Sequence, residues 1–362
     1  MTRARDLAAM SATQMAERFR AGSLDPVTVL ESVLSRLEET DPVLNAFCHV
    51  DRKGAHAMAW GSAERHARGE PLGPLDGVPV SVKDMILTKG MPTRKGSLTT
   101  SPDGPWDEDA PSVARLRAGG AVLFGKTTTT EFGGSPYSTS PLTGDTVGPW
   151  NTNYGCAGSS MGAAAQLAAG VGPLALGNDA AGSIRMPASF GGCFGLKPTF
   201  GIVANYPPSA AGILGHTGPM SWTVADAALM LGVIAGPDAR DAYAVPRLEG
   251  MLGADIEAGV EGLRIAYSPS LGIRPPAPEV AAATDGAAEV FAGLGATVEL
   301  ADPDFSDLFA AYDTIRICMR AASYRRSVPA GSEDRMDPLV ARVMKQAEAY
   351  SRDDLIEALR LR

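Results

Sequence analysis

The chain alternates between helical and strand-like spacing of its apolar residues. Asp25 followed by Pro26 pairs an N-cap residue with a favoured first helical position, and Leu30, Val33, Leu34 and Leu37 recur at helical spacing, so residues 26–39 are expected to form an amphipathic surface helix. Between Gly77 and Leu87, Val78, Val80 and Val82 alternate with Pro79, Ser81 and Lys83, the pattern of a strand whose end meets polar chemistry. Pro111 to Ala118 reads as a short helix, Ala121 to Phe124 as a buried strand, about 160–170 as an Ala-rich helix and Leu174 to Leu176 as a further strand. Downstream, Leu263 to Tyr267, Glu279 to Leu294 and Ala296 to Leu300 form a candidate βαβ unit with Gly295 at the turn. The rhythm is that of an α/β protein with helices on both faces of its sheet. Residues 202–219 form a long Pro/Gly-rich loop suited to lining a site.

Composition narrows the class. With 45% apolar and 20% charged residues, the chain falls among soluble globular proteins. The net charge of −9 is spread over interleaved acidic and basic residues, which argues against a nucleic-acid surface. Met1 to Phe19 has no apolar core of a signal peptide, so the cytoplasm is the default expectation. The longest Ala/Gly run, Met161 to Gly177, is broken by Gln166 and Pro173, and no membrane span is expected. Cys48, Cys156, Cys193 and Cys318 show neither disulfide-framework nor zinc spacing, and no metal or other cofactor is expected.

The four histidines, His49, His56, His66 and His216, sit in no pattern of a triad or a metallohydrolase. An acyl-transfer enzyme without histidine needs another base, and a lysine kept neutral by burial can serve. Lys83 closes the strand at 79–83 and is one of only seven lysines in a chain that otherwise carries its positive charge on arginine. The strand alone favours a lysine whose head snorkels to water. Nearby chemistry changes that balance. Ten of the 41 glycines fall between Gly155 and Gly195, around two serine clusters, Gly158-Ser159-Ser160 and Gly182-Ser183-Ile184-Arg185. A lone Gly-Ser is usually a turn or cap. In Ala180-Ala181-Gly182-Ser183, however, small residues free successive backbone N–H groups to converge on one oxyanion.

Taken in order, Leu75-Asp76-Gly77-Val78-Pro79-Val80-Ser81-Val82-Lys83-Asp84, Gly125-Lys126-Thr127 with Glu131-Phe132, Pro149-Trp150-Asn151, Gly158-Ser159-Ser160, Leu176-Gly177-Asn178-Asp179-Ala180-Ala181-Gly182-Ser183-Ile184-Arg185 and Gly195-Leu196-Lys197-Pro198-Thr199 resemble the amidase signature family in sequence and spacing. The resemblance runs from about residue 20 to the end and is densest between 75 and 201. It implies an α/β fold with a mixed, largely parallel central sheet covered by helices on both faces. It places Lys83 on the catalytic lysine, Ser159 on a bridging serine preceded by a cis peptide bond, and Ser183 on the acyl-forming nucleophile. Backbone N–H groups of Ala180, Ala181 and Gly182 would form the oxyanion hole.

The resemblance further implies a single domain over 1–362, with an N-terminal helical region (1–70), a signature core (75–201) and a βαβ-containing remainder (220–362). Family members are longer. The apolar stripe Leu355, Ile356, Leu359 and Leu361 also runs to Arg362 without a stop signal, so the C-terminal part of the domain is expected to be missing or shortened. Two departures stand out: Ala157-Gly158 where the family usually has Gly-Gly, and Ala180-Ala181 where it usually has Thr-Gly. A methyl at 181 still permits N–H donation if φ stays negative.

The expected activity is hydrolysis of a small-molecule carboxylic amide to carboxylate plus ammonia or amine, with no nucleic-acid or membrane partner and room for a homodimer. The alternatives are the glutamine-hydrolysing subunit of a tRNA-dependent amidotransferase and a non-catalytic truncated homologue. Members of that amidotransferase group resemble Gly-Ser-Ile-Arg-Gln, whereas Met186 follows Arg185 here.

Overall fold

A computed structural model describes residues 7–246, 256–305 and 308–362. The described chain divides into two compact units, Met1–Leu252 with Met319–Gln346, and Gly253–Cys318 with Ala347–Arg362. The first is built on a six-stranded sheet of β1 (Phe47–Val50), β2 (Pro79–Lys83), β3 (Val122–Thr127), β6 (Leu174–Asp179), β7 (Phe194–Gly195) and β8 (His216–Ser221), in the order β1-β3-β2-β6-β8-β7. Two short strands, β4 (Thr139–Ser140) and β5 (Gly144–Asp145), pair separately. At the centre β3, β2 and β6 run parallel, while β1 and β8 run the other way, giving the mixed, largely parallel sheet that was expected.

Every residue of β2 and β3 is buried. Parallel strands buried on both faces are the usual consequence of helices above and below. The helix Pro26–Leu44 packs Val29, Leu30, Val33, Leu34 and Leu37 inward, and Asp25 caps it by accepting from the Thr28 N–H at 3.0 Å. It runs five residues beyond the expected end at 39. Pro42 lies within its last turn, and Asn45 ends it in the left-handed conformation (φ 51°). Pro111–Ala118 forms as read from the sequence, since Pro111 opens it and Gly119 closes it. Met161–Ala168 forms the Ala-rich helix, all but its last residue buried.

β3 extends three residues past Phe124 and β6 three past Leu176. In both cases the added residues are small or polar, so apolar patterning could not show them. β2 ends at Lys83, and Asp84 to Ile86 turn away from the sheet.

In the second unit, β9 (Arg264–Tyr267) and β10 (Thr297–Leu300) pair in parallel around the helix Pro278–Gly293, which is the expected βαβ unit. Its strands form a two-stranded sheet of their own. The helical stripe at the end of the chain forms Arg352–Leu361.

Candidate active site

Parallel pairing sets the site's position. Val80 and Val82 on β2 face Leu174 and Leu176 on β6, so the two strands end side by side and bring Lys83 to Asn178. Ligand sites in α/β sheets favour this carboxyl edge of parallel strands. Lys83 is fully buried, and its Nζ lies in hydrogen-bond contact with Ser159 Oγ at 2.7 Å and Asn178 Oδ1 at 2.6 Å. Burial pushes the Lys83 ammonium well below the usual lysine value. The Asp179 charge opposes that shift and the Arg320 charge reinforces it.

Ser159 follows a cis Gly158–Ser159 peptide bond. The two serine loops are tied together by the Ser160 N–H, which donates to the Ser183 carbonyl at 3.1 Å. Ser159 and Ser183 line one cavity of about 100 Å³ with Asn178, Asp179 and Ala180. Among the described residues the Ser183 hydroxyl makes no hydrogen bond.

Asp179 organises the loop that presents Ser183. Its carboxylate accepts from the Gly182 N–H (2.7 Å), the Ile184 N–H (3.1 Å) and the Arg185 guanidinium (2.9 and 3.0 Å). Burial alone would raise this carboxyl, but Arg185 and the two backbone donors outweigh it and hold the group at about 2. One expectation is corrected here. The Gly182 N–H is donated to Asp179 and is not free for an oxyanion, because the strand-end carboxylate takes the nearest loop donors. The N–H groups of Ala180, Ala181 and Ser183 have no protein acceptor among the described residues, and Ala181 keeps a negative φ.

The Amidase family model matches residues 28–358. The chain belongs to the amidase family. Within it, the chain is 41% identical over 279 residues to a glutamyl-tRNA(Gln) amidotransferase subunit from Chloroflexus aggregans, covering 77% of this chain and 57% of that one. It is 38% identical over 301 residues to an acylamidase of Rhodococcus erythropolis, covering 82% and 62%. The chain thus spans about three fifths of these relatives' length. Its fold is similar to that of a bacterial aryl acylamidase of the amidase signature family, with a TM-score of 0.88 at 27% identity, over 97% of this chain and 76% of that one.

Three residues that line the cavity were given no place in the site by the sequence. Asn178 lay within a recognised motif, and parallel pairing of β2 with β6 is the signal that brings it to Lys83. His216, which sits in no triad or metallohydrolase pattern of the sequence, also lines the cavity, its Nδ1 2.9 Å from the Leu214 carbonyl, and burial lowers its pKa. Arg320 reaches the cavity from the helix Leu308–Ser327, where nothing in the pattern separates it from Arg316, Arg325 and Arg326. Among the described residues no group of three or more His, Cys, Asp or Glu is placed to hold a metal ion, and no helix is long and apolar enough to cross a membrane.

Proposed function

We propose that this protein is an amidase that cleaves the C–N bond of a small carboxylic amide through an acyl-enzyme on Ser183. The observation that carries the reading is the 2.7 Å contact between fully buried Lys83 and Ser159, at the wall of the cavity that Ser183 also lines. A lysine made neutral by burial has a lone pair to accept a proton. Lys83 takes the proton of Ser159, Ser159 takes that of Ser183, and Ser183 Oγ attacks the amide carbonyl carbon. The negative oxygen of the tetrahedral species is held by the Ala180 and Ala181 N–H groups with that of Ser183, each such donor being worth about 3 kcal/mol. The relay returns its proton to the departing nitrogen as the C–N bond breaks. Water, deprotonated through the same relay, then releases the carboxylate and restores Ser183. These steps draw on the chain's own groups and water, and the protein is taken to work in the cytoplasm.

The test is intact mass after exposure to a serine-directed phosphonylating probe, together with ammonia release from a panel of short and aryl amides. A single adduct lost in Ser183→Ala, with turnover lost in both Ser183→Ala and Lys83→Ala, is expected. Turnover retained by either variant would overturn the relay, and absence of both labelling and turnover would favour a non-catalytic homologue.

A second reading has support in the 41% identity to a glutamyl-tRNA(Gln) amidotransferase component. It places the same relay in a complex that hydrolyses glutamine. Copurification with a companion protein, together with glutamine-dependent ammonia release, would select it.

A further inference from the structure

We propose that Arg320, assisted by Lys95, forms a carboxylate-binding subsite in the Ser183 cavity, so that the preferred substrate is a short amide bearing a carboxylate. This inference rests on the amidase reading above.

Arg320 is only 6% exposed. Its guanidinium donates to the carbonyls of Gly133 (3.2 Å) and Gly134 (3.3 Å), and among the described residues it has no carboxylate partner. A guanidinium stays charged in any protein environment. Two neutral carbonyls orient it without cancelling that charge, and a buried ion lacking a counter-ion is costly to desolvate. A ligand can supply the missing anion, and the planar donor fork of arginine matches a carboxylate.

Lys95 lines the same cavity and is half-buried. Its backbone is pinned on both sides, the N–H donating to the Asp84 carbonyl (3.0 Å) and the carbonyl accepting from the Phe132 N–H (2.8 Å). Among the described residues its ammonium makes no hydrogen bond or ion pair. Asp84, the carboxylate nearest in effect, is buried and already accepts from the N–H groups of Arg94 (2.9 Å) and Gly96 (3.1 Å). Burial lowers the Lys95 pKa, and an anion bound beside it would favour the charged form.

The remaining wall offers no compensation. Asp179 is the one carboxylate lining the cavity among the described residues, and it is spent on Arg185 and the serine loop. Arg320 and Lys95 thus line the Ser183 cavity with no ion-paired carboxylate among the described residues. The cavity of about 100 Å³ is small beside the ~300–1,000 Å³ of pockets for larger ligands, which points to a short acyl chain.

The experiment compares kcat/KM for succinamate and its uncharged counterpart butyramide, and measures calorimetric binding of succinate and butyrate, which needs no turnover. A charged hydrogen-bonded contact of about 2 kcal/mol predicts that the wild-type protein prefers succinamate by roughly 30-fold. Arg320→Gln should collapse that ratio toward one, Arg320→Lys should restore part of it, and Lys95→Gln should lower it less. If Arg320→Gln does not fold, the wild-type ratio and Lys95→Gln decide. Butyramide hydrolysed as well as succinamate overturns the subsite and leaves the amidase reading standing. No amide turned over, with succinate bound in an Arg320-dependent way, overturns the amidase reading and keeps the subsite. Neither turnover nor selective succinate binding removes both.

Discussion

Asn178 Oδ1 accepts a hydrogen bond from Lys83 Nζ at 2.6 Å, and this bond and the 2.7 Å contact with Ser159 together fix the lysine head between two neighbouring strands and the serine loop. An uncharged amine has one lone pair, and donating an N–H to Asn178 turns that pair toward Ser159. In the proposed relay Asn178 is therefore a positioning residue. Asn178→Ala should lower kcat by about 10–100-fold. Since an amide oxygen binds an ammonium more strongly than an amine, its loss should also move the rising limb of the pH profile to lower pH. A kcat/KM profile of wild type and variant against pH tests both effects, and a rising limb that disappears in His216→Gln would assign it to the imidazole.

Lys83 should act against stability. Its folded pKa is depressed and its unfolded pKa is ordinary, so below the unfolded value the unfolded chain binds more protons and stability falls as pH falls toward the folded value. Lys83→Met should abolish turnover yet raise stability by about 1–3 kcal/mol at neutral pH. Thermal melts at several pH values should show that gain shrinking toward alkaline pH.

Asp179 has the opposite sign. Its carboxyl is held at about 2, below the ordinary 3.8, so its contribution is fully present above pH 4 and is lost as pH falls from there through about 2. Asp179→Asn should cost about 2–4 kcal/mol by leaving Arg185 and the loop donors without their acceptor. It should also slow acylation by releasing the Ser183 loop. Denaturant melts should show the acid-dependent slope flattened in the variant, and labelling of Ser183 should be slower.

Two small-residue positions behind the serines respond in opposite directions. A Cβ on Gly162 would sit 2.1 Å from the Ala46 carbonyl oxygen and 2.6 Å from the Thr128 nitrogen, both backbone atoms. Gly162→Ala should destabilise by about 3 kcal/mol or more and reduce activity. Ala157 stands at φ 57°, left-handed backbone that costs a non-glycine residue about 1–2 kcal/mol. Ala157→Gly should therefore stabilise by about 0.5–1 kcal/mol, visible as a higher denaturation midpoint with Ser183 reactivity retained.

The central strands were legible where burial coincides with apolar side chains, as in Val80, Val82, Leu123 and Leu174. They were not legible where buried polar groups carry the strand onward. Lys126 extends β3 while fully buried, because the Ile86 carbonyl (2.6 Å), Thr93 (2.8 Å) and Thr88 (3.1 Å) accept from its ammonium. The proposed relay residues drew attention because lysine is rare here and glycine gathers around the serines, and their roles came from the resemblance to the amidase signature family. Gly182 differs because the acceptor of its N–H is decided by where Asp179 points. Arg320 could not be read at all, since its meaning comes from being buried without an ion-paired carboxylate among the described residues, which only the fold reveals.

The pairing of β2 with β6 constrains how this sequence can change over time. Side chains alternate between faces, so inserting or deleting one residue within either strand would turn Lys83 or Asn178 to the opposite side of the sheet. Length variation is therefore expected to collect in the connections, such as the Pro-rich stretch from Tyr206 to Ala211 at the cavity rim, where the two partners keep their alignment. New specificities can then arise by remodelling the rim while the contacts of Lys83 with Ser159 and Asn178 keep their geometry.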